Sequence, residues 1–348
     1  MKTMKAAVVT GPKQIGPQQI PMPSVNRGDL LIKISSCAVC GSDVRITDSG
    51  NDRVKVPAII GHEIAGTVVS VGEDVTQFKV GERVAVGADI PCGACYWCLN
   101  GMGNCCDKNY AMGYQFPGGF AEYCLLNSTV VRFGPVCRIP NDVSMDEAAL
   151  AEPLACCING MERVFFKPGQ SVLVMGSGPI GLMLVQLAKI YGSPLVVLSD
   201  VDEKRLEEAV KAKPDHVINS SRENLTTEVA RLTNNVGIDV VFTACASAEA
   251  HEAAIEVTSK RGFINFFGGL PSSARKISIL SNKIHYKELY ITGSHGSTPR
   301  QHAAAMQLIS SKRIDVSSLI THSFGLDDIA VALDTVRTKK GLKVMIHP

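Results

Sequence analysis

Over roughly the first 150 residues, apolar positions come in short runs broken by turn residues, a texture that predicts a β-rich domain. The clearest runs are Leu30-Leu31-Ile32-Lys33-Ile34, Ile64 through Gly72, and Arg83-Val84-Ala85-Val86. The N-terminal stretch from Met1 to Val9 has no long apolar core followed by a small-residue cleavage site. It reads as a first strand and not as a signal peptide. From about Lys167 strand and helix alternate. Ser171 to Met175, Leu195 to Asp200, His216 to Ile218, Asp239 to Phe242, Phe263 to Phe266 and Leu289 to Thr292 are strand candidates. Helical stretches are predicted from Ile180 to Tyr191 and from Lys204 to Val210. Strands joined by helical crossovers imply an α/β, doubly wound parallel sheet. A helix from His302 to Ser310 and a terminal strand from Lys343 to Ile346 follow.

Composition narrows the classes. A chain of 348 residues exceeds the size at which one core stops growing, so two domains are expected. The net charge of +2 gives no footprint for nucleic acid, and no apolar run is long enough to span a membrane. The expected location is the cytoplasm. There, 12 cysteines are not a disulfide framework, and spacing has to separate metal ligands from small buried hydrophobes.

Two local motifs carry chemistry. Gly176-Ser177-Gly178-Pro179-Ile180-Gly181 follows a predicted strand and opens a helix. Its glycines permit the turn, the approach of a pyrophosphate and close helix–strand packing, and the helix N-terminus offers free N–H groups. Asp200 ends the next strand, where a carboxylate can bond the ribose hydroxyls and repel a 2′-phosphate. NAD is therefore expected over NADP, with Arg205 flanking the ribose and leaving some room for NADP. The second motif is Cys92-x2-Cys95-x2-Cys98-x7-Cys106. Four thiolates on one loop suit a closed, structural zinc. Cys105 competes with Cys106 as the fourth ligand.

Three further segments carry ligand-type side chains: Cys40-Gly41-Ser42-Asp43, Gly61-His62-Glu63 and Glu152-Pro153. Each alone is weak. Together with Gly118-Gly119-Phe120-Ala121-Glu122-Tyr123, the knuckle and the glycine loop, they resemble the zinc-dependent medium-chain alcohol dehydrogenase superfamily, over essentially the whole chain. Glu152-Pro153 makes the chain most similar to its sorbitol and polyol dehydrogenase branch. The resemblance implies a GroES-like catalytic domain over 1–153 and 294–348 and a Rossmann domain over 154–293. It implies two zincs per chain and NAD, with Cys40 and His62 binding the catalytic zinc. Glu63 is implied as third ligand and Glu152 as a ligand directly or through water. Asp43 would orient His62, and Ser42 would hydrogen-bond the substrate oxygen and begin the proton path. The implied reaction is oxidation of a secondary alcohol to a ketone, with hydride passing to the nicotinamide in a cleft between domains. The family also suggests a homo-oligomer, dimer or tetramer.

The chain departs from close relatives in three places. Arg45 stands where many carry a relay histidine, Leu154-Ala155-Cys156-Cys157-Ile158-Asn159 follows Glu152 where polyol dehydrogenases commonly have a histidine, and Ser294-His295-Gly296-Ser297 replaces an aromatic–arginine stretch. Arg45, with His295 or Arg300, could receive a phosphate. A polyol phosphate of the galactitol or arabitol type is thus an alternative substrate, and L-threonine is another. A non-catalytic NAD-binding redox sensor is the reading from a different class.

Overall fold

The computed structural model describes residues 2–270 and 276–348, so Met1 of the expected first strand lies outside it. The chain forms two compact units, Met1–Ala155 with Gly296–Pro348, and Cys156–His295.

The first unit is built on a seven-stranded sheet. Leu30–Ala38 lies near its middle, antiparallel to Glu63–Val71 on one side and to Lys343–His347 on the other. Glu63–Val71 pairs in turn with Arg83–Val86. Side chains alternate between the faces of a strand, and one face here packs as a core of Ile32, Ile34, Ile64, Val68, Val84, Phe120, Leu126 and Val344. The Thr3–Gly11 strand forms a separate hairpin with Gln14–Pro21.

The second unit is a six-stranded parallel sheet with helical crossovers. Val172–Met175 lies inside, between Val196–Asp200 and Ile238–Thr243. It is buried at all of its residues, which is why it reads as a continuous apolar run. The order, with each half winding outward from the first strand, is that of a dinucleotide-binding fold. Mixed α/β architecture with a GroES-like and a Rossmann-type part is therefore what the chain adopts.

Several elements differ from expectation. The helix expected from Lys204 to Val210 is α-helical over Glu203–Glu208 and tightens into a 3-10 turn over Ala209–Ala212. Lys213 then turns left-handed at φ 55° ahead of Pro214, which cannot continue a helix. The strand expected at Phe263 begins earlier, at Thr258. Helices Gly41–Ser49 and Ala151–Arg163 were not predicted, and both carry site residues. Among the described residues no helix is long and apolar enough to cross a membrane.

Candidate metal and nucleotide sites

One carboxylate joins the two loops that carry the candidate ligands. The Cys40 N–H donates to Asp43 Oδ2 at 2.8 Å, which caps the Gly41–Ser49 helix from inside. The other oxygen, Oδ1, accepts the Gly61 N–H at 3.2 Å and faces His62 Nδ1 at 3.5 Å. The latter separation is long for a hydrogen bond, so the imidazole is aligned by the charge more than bonded to it. With Nδ1 turned to Asp43, Nε2 is left for a metal. Gly61 has φ 92°, and a Cβ there would stand 2.8 Å from Phe120 and 2.9 Å from Cys37 Sγ. Only glycine lets the chain present His62 from this position.

Cys40, His62 and Glu63 bring ligand atoms to within 4.8 Å of one another. A thiolate, an imidazole and a carboxylate converging in this way are a donor set that fits zinc. Glu152 is buried but falls outside that group of three. Burial pushes its carboxyl up to about 7, with His62 and Lys343 opposing and Glu63 and Asp89 reinforcing the shift. Burial alone would keep His62 neutral, yet Asp43 and Cys40 outweigh it and raise its pKa well above the usual histidine range.

Three participants are absent from the sequence reading. Lys343 Nζ is 2.5 Å from both oxygens of Glu63, and both side chains are almost fully buried. The sequence hint is a lysine heading an apolar terminal strand. Asp89 accepts the Ser297 N–H at 2.8 Å. The Tyr114 ring stands 6.2 Å from the His62 ring, and burial raises its phenol pKa. Arg45 is exposed, as are His295 and Arg300.

In the knuckle, Cys92, Cys95, Cys98 and Cys106 lie within 4.8 Å of one another. Cys106 is buried while its neighbour Cys105 is exposed, so the alternative fourth ligand points elsewhere. Backbone N–H groups of Cys98 and Asp107 hold the Cys95 thiol down at about 6. Burial pushes Cys98 up to about 12. Packed sulfurs that cannot all carry charge alone fit a divalent cation that takes them as thiolates.

In the second unit the loop Gly176-Ser177-Gly178 leads into the helix Pro179–Ile190, with proline in its first turn. A Cβ on Gly181 would meet Gly176 O at 1.8 Å, so helix and turn pack without space for a side chain. Gly178 is open except for Arg205 Nη1, 3.5 Å from where its Cβ would stand. Asp200 Oδ2 accepts from both the N–H and the hydroxyl of Ser177, at 2.7 and 2.8 Å. Its Oδ1 accepts the N–H groups of Val201 and Asp202. Burial opposes ionisation, but these four donors keep the carboxyl below its usual range.

Comparison with known proteins places this geometry. Residues 26–135 match the alcohol dehydrogenase GroES-like domain family, and residues 179–311 match the zinc-binding dehydrogenase family. The chain is 32% identical over 355 residues to the sorbitol dehydrogenase of Bacillus subtilis strain 168, covering 100% of this chain and 98% of that protein. It is 34% identical over 330 residues to the L-threonine 3-dehydrogenase of Escherichia coli K12, covering 94% of each. A structure from Sinorhizobium meliloti 1021, described as a zinc-binding dehydrogenase bound to NADP, superposes over 100% of both chains. Its TM-score is 0.93 at 28% identity. The chain belongs to the zinc-dependent medium-chain alcohol dehydrogenase superfamily. It is an oxidoreductase of a family that uses zinc and a nicotinamide cofactor.

Proposed function

We propose that this protein oxidises a secondary alcohol of the polyol type to a ketone, passing hydride to NAD. The observation that carries this reading is the convergence of Cys40, His62 and Glu63 beside the buried Glu152. Zinc bound there supplies a Lewis acid that makes an alcohol proton easier to lose. Cys40 and His62 hold the metal, with Glu63 or Glu152 completing the set. Asp43 would fix the direction of His62, and the Ser42 hydroxyl would accept the substrate's hydroxyl proton while passing its own on towards the nicotinamide ribose. The four-cysteine knuckle holds a second, structural zinc.

A panel of polyols, polyol phosphates, simple alcohols and L-threonine, read by NAD reduction, tests the proposal. Turnover of a polyol with about two zinc per chain supports it. A zinc-loaded enzyme that reduces NAD with none of them would sink it. L-threonine is the second reading, favoured by the match to the L-threonine 3-dehydrogenase along 94% of each chain. The polyol phosphate gains no support from Arg45, which faces solvent.

NAD over NADP rests on Asp200. Its charge, held by four donors of the chain, stands where a 2′-phosphate would be repelled. Asp200→Ser should raise KM for NAD by roughly 10- to 100-fold, the worth of a hydrogen bond to a charged group. It should improve NADP at the same time. Unchanged KM values for both cofactors would show that Asp200 does not read the ribose.

The oligomeric state belongs to the same proposal. A dimer or tetramer is expected from the family, and sedimentation would decide it. We further propose a cytoplasmic location, with no nucleic-acid partner.

A further inference from the structure

Several exposed arginines of this chain face carboxylates. Arg27 meets Glu73 and Asp74, Arg138 meets Glu82, and Arg337 meets Asp48 and Asp334. Arg53 is half-buried, yet among the described residues it pairs with no carboxylate. Its Nη2 donates to the carbonyl of Asn109, a neutral acceptor, and its Nε is buried without a hydrogen-bond partner. A guanidinium keeps its charge at any physiological pH and has five N–H donors to satisfy. Withdrawing such a group from water without a counter-anion is costly.

This cation stands close to the candidate metal ligands. Its guanidinium carbon lies 4.8 Å from the centroid of the Tyr114 ring, and that ring stands 6.2 Å from the His62 ring. The gap between imidazole and guanidinium carbon therefore cannot exceed the sum of these two separations. At about 1.5 Å per bond, a chain of roughly four to six atoms covers such a span. All three residues belong to the first compact unit. The Tyr114 loop is packed on the metal-ligand loop, since a Cβ on Gly113 would stand 3.0 Å from the Gly61 nitrogen. The guanidinium is thus held by the aromatic face and by the Asn109 carbonyl, with Nη1 unused.

We propose that Arg53 receives an anionic end group of the substrate, so that the alcohol oxidised here is a polyhydroxy chain carrying a carboxylate or a phosphate. A guanidinium binds either oxyanion through charge-assisted N–H···O bonds. With the reacting hydroxyl beside Cys40, His62 and Glu63 and the acid end on Arg53, the chain is fixed at two points. That selects which carbon is oxidised and holds it for hydride transfer. A neutral polyol is fixed at one point only and leaves the guanidinium without its counter-anion. This inference rests on the alcohol-oxidation reading above and names the class of alcohol.

The test sets polyols of roughly four to six carbons beside the aldonic acids and terminal phosphates of the same length, in the zinc-loaded enzyme with NAD. Wild-type kcat/KM should be roughly 10- to 100-fold higher for a charged series than for the polyols, the worth of hydrogen bonds to a charged group. Which series gains tells carboxylate from phosphate. Arg53→Met should remove the advantage and leave polyol turnover within about twofold of wild type. Arg53→Lys keeps the charge and should retain part of it. Binding is read apart from turnover with NADH in place of NAD, since a reduced nicotinamide takes no hydride. Calorimetry should then show the favoured acid binding roughly 10- to 100-fold tighter than its polyol, with the gap closed in Arg53→Met. Equal kcat/KM for charged and neutral series in the wild type would overturn the proposal. So would an Arg53→Met enzyme that keeps the preference, or that loses activity on all series alike as a structural arginine would. A wild-type enzyme that oxidises none of the compounds counts against the alcohol-oxidation reading instead. The calorimetry with NADH still decides whether Arg53 binds the acid end.

Discussion

His62→Ala is expected to lower alcohol oxidation by about a thousandfold or more, since a Lewis acid at the reacting oxygen is worth several kcal/mol. Three donors converge at this site, and the direction of the imidazole is set by the buried Asp43. Its loss leaves a thiolate and a carboxylate, too few ligands to hold zinc in a closed geometry. The knuckle sulfurs are a separate cluster, and the zinc proposed there should stay. Zinc should fall from about two to about one per chain, while far-UV circular dichroism stays that of the parent. Asp43→Asn is the milder companion, expected to weaken the metal by roughly 10- to 100-fold through misaligned His62. A His62→Ala enzyme retaining full activity and both zincs would remove the metal mechanism.

How far the sequence could lead depends on how local each feature is. The inner strands of the parallel sheet were legible because burial on both faces makes them uninterrupted apolar runs, as in Val172–Met175. The glycine loop was legible because strand, turn and helix follow one another. Gln14–Pro21 left no such trace, being largely exposed and interrupted by Pro17. The Gly41–Ser49 helix is short, with mostly polar side chains on its outer face, and its start depends on Asp43 reaching back to Cys40. Ligand types within the site could be named from motifs, since Cys40, His62 and Glu63 lie close in sequence to distinctive neighbours. The residues that tune them could not. Lys343 reaches Glu63 from the far end of the chain, and Tyr114 comes beside His62 from a loop with no periodic signal. Such pairings arise from sheet register and loop packing, which no spacing rule encodes.

Lys343→Met provides the sharpest test of that long-range pairing. Glu63 is 0% exposed, and both of its oxygens lie at 2.5 Å from one ammonium group. Methionine fills a similar volume but leaves the carboxylate without its cation in a medium that solvates charge poorly. Breaking a buried pair from one side costs about 3–5 kcal/mol. The loss should be largest in chelator-treated enzyme, because zinc bound beside Glu63 would supply a second positive charge. Trp97, the only tryptophan, lies in the same unit and reports its unfolding in urea by fluorescence. The pH dependence has a definite sign. Burial lowers the Lys343 pKa, but Glu63 and Cys40 outweigh it and raise the value above that of an ordinary lysine. The contribution is therefore complete below the unfolded lysine pKa and disappears as pH climbs through the raised one. Parent and variant should differ in midpoint throughout the neutral range and converge only in strong alkali. Lys343→Arg retains the charge and should recover most of the difference. Equal urea midpoints for parent and Lys343→Met in the metal-free state would mean that Glu63 is held by something other than this pair.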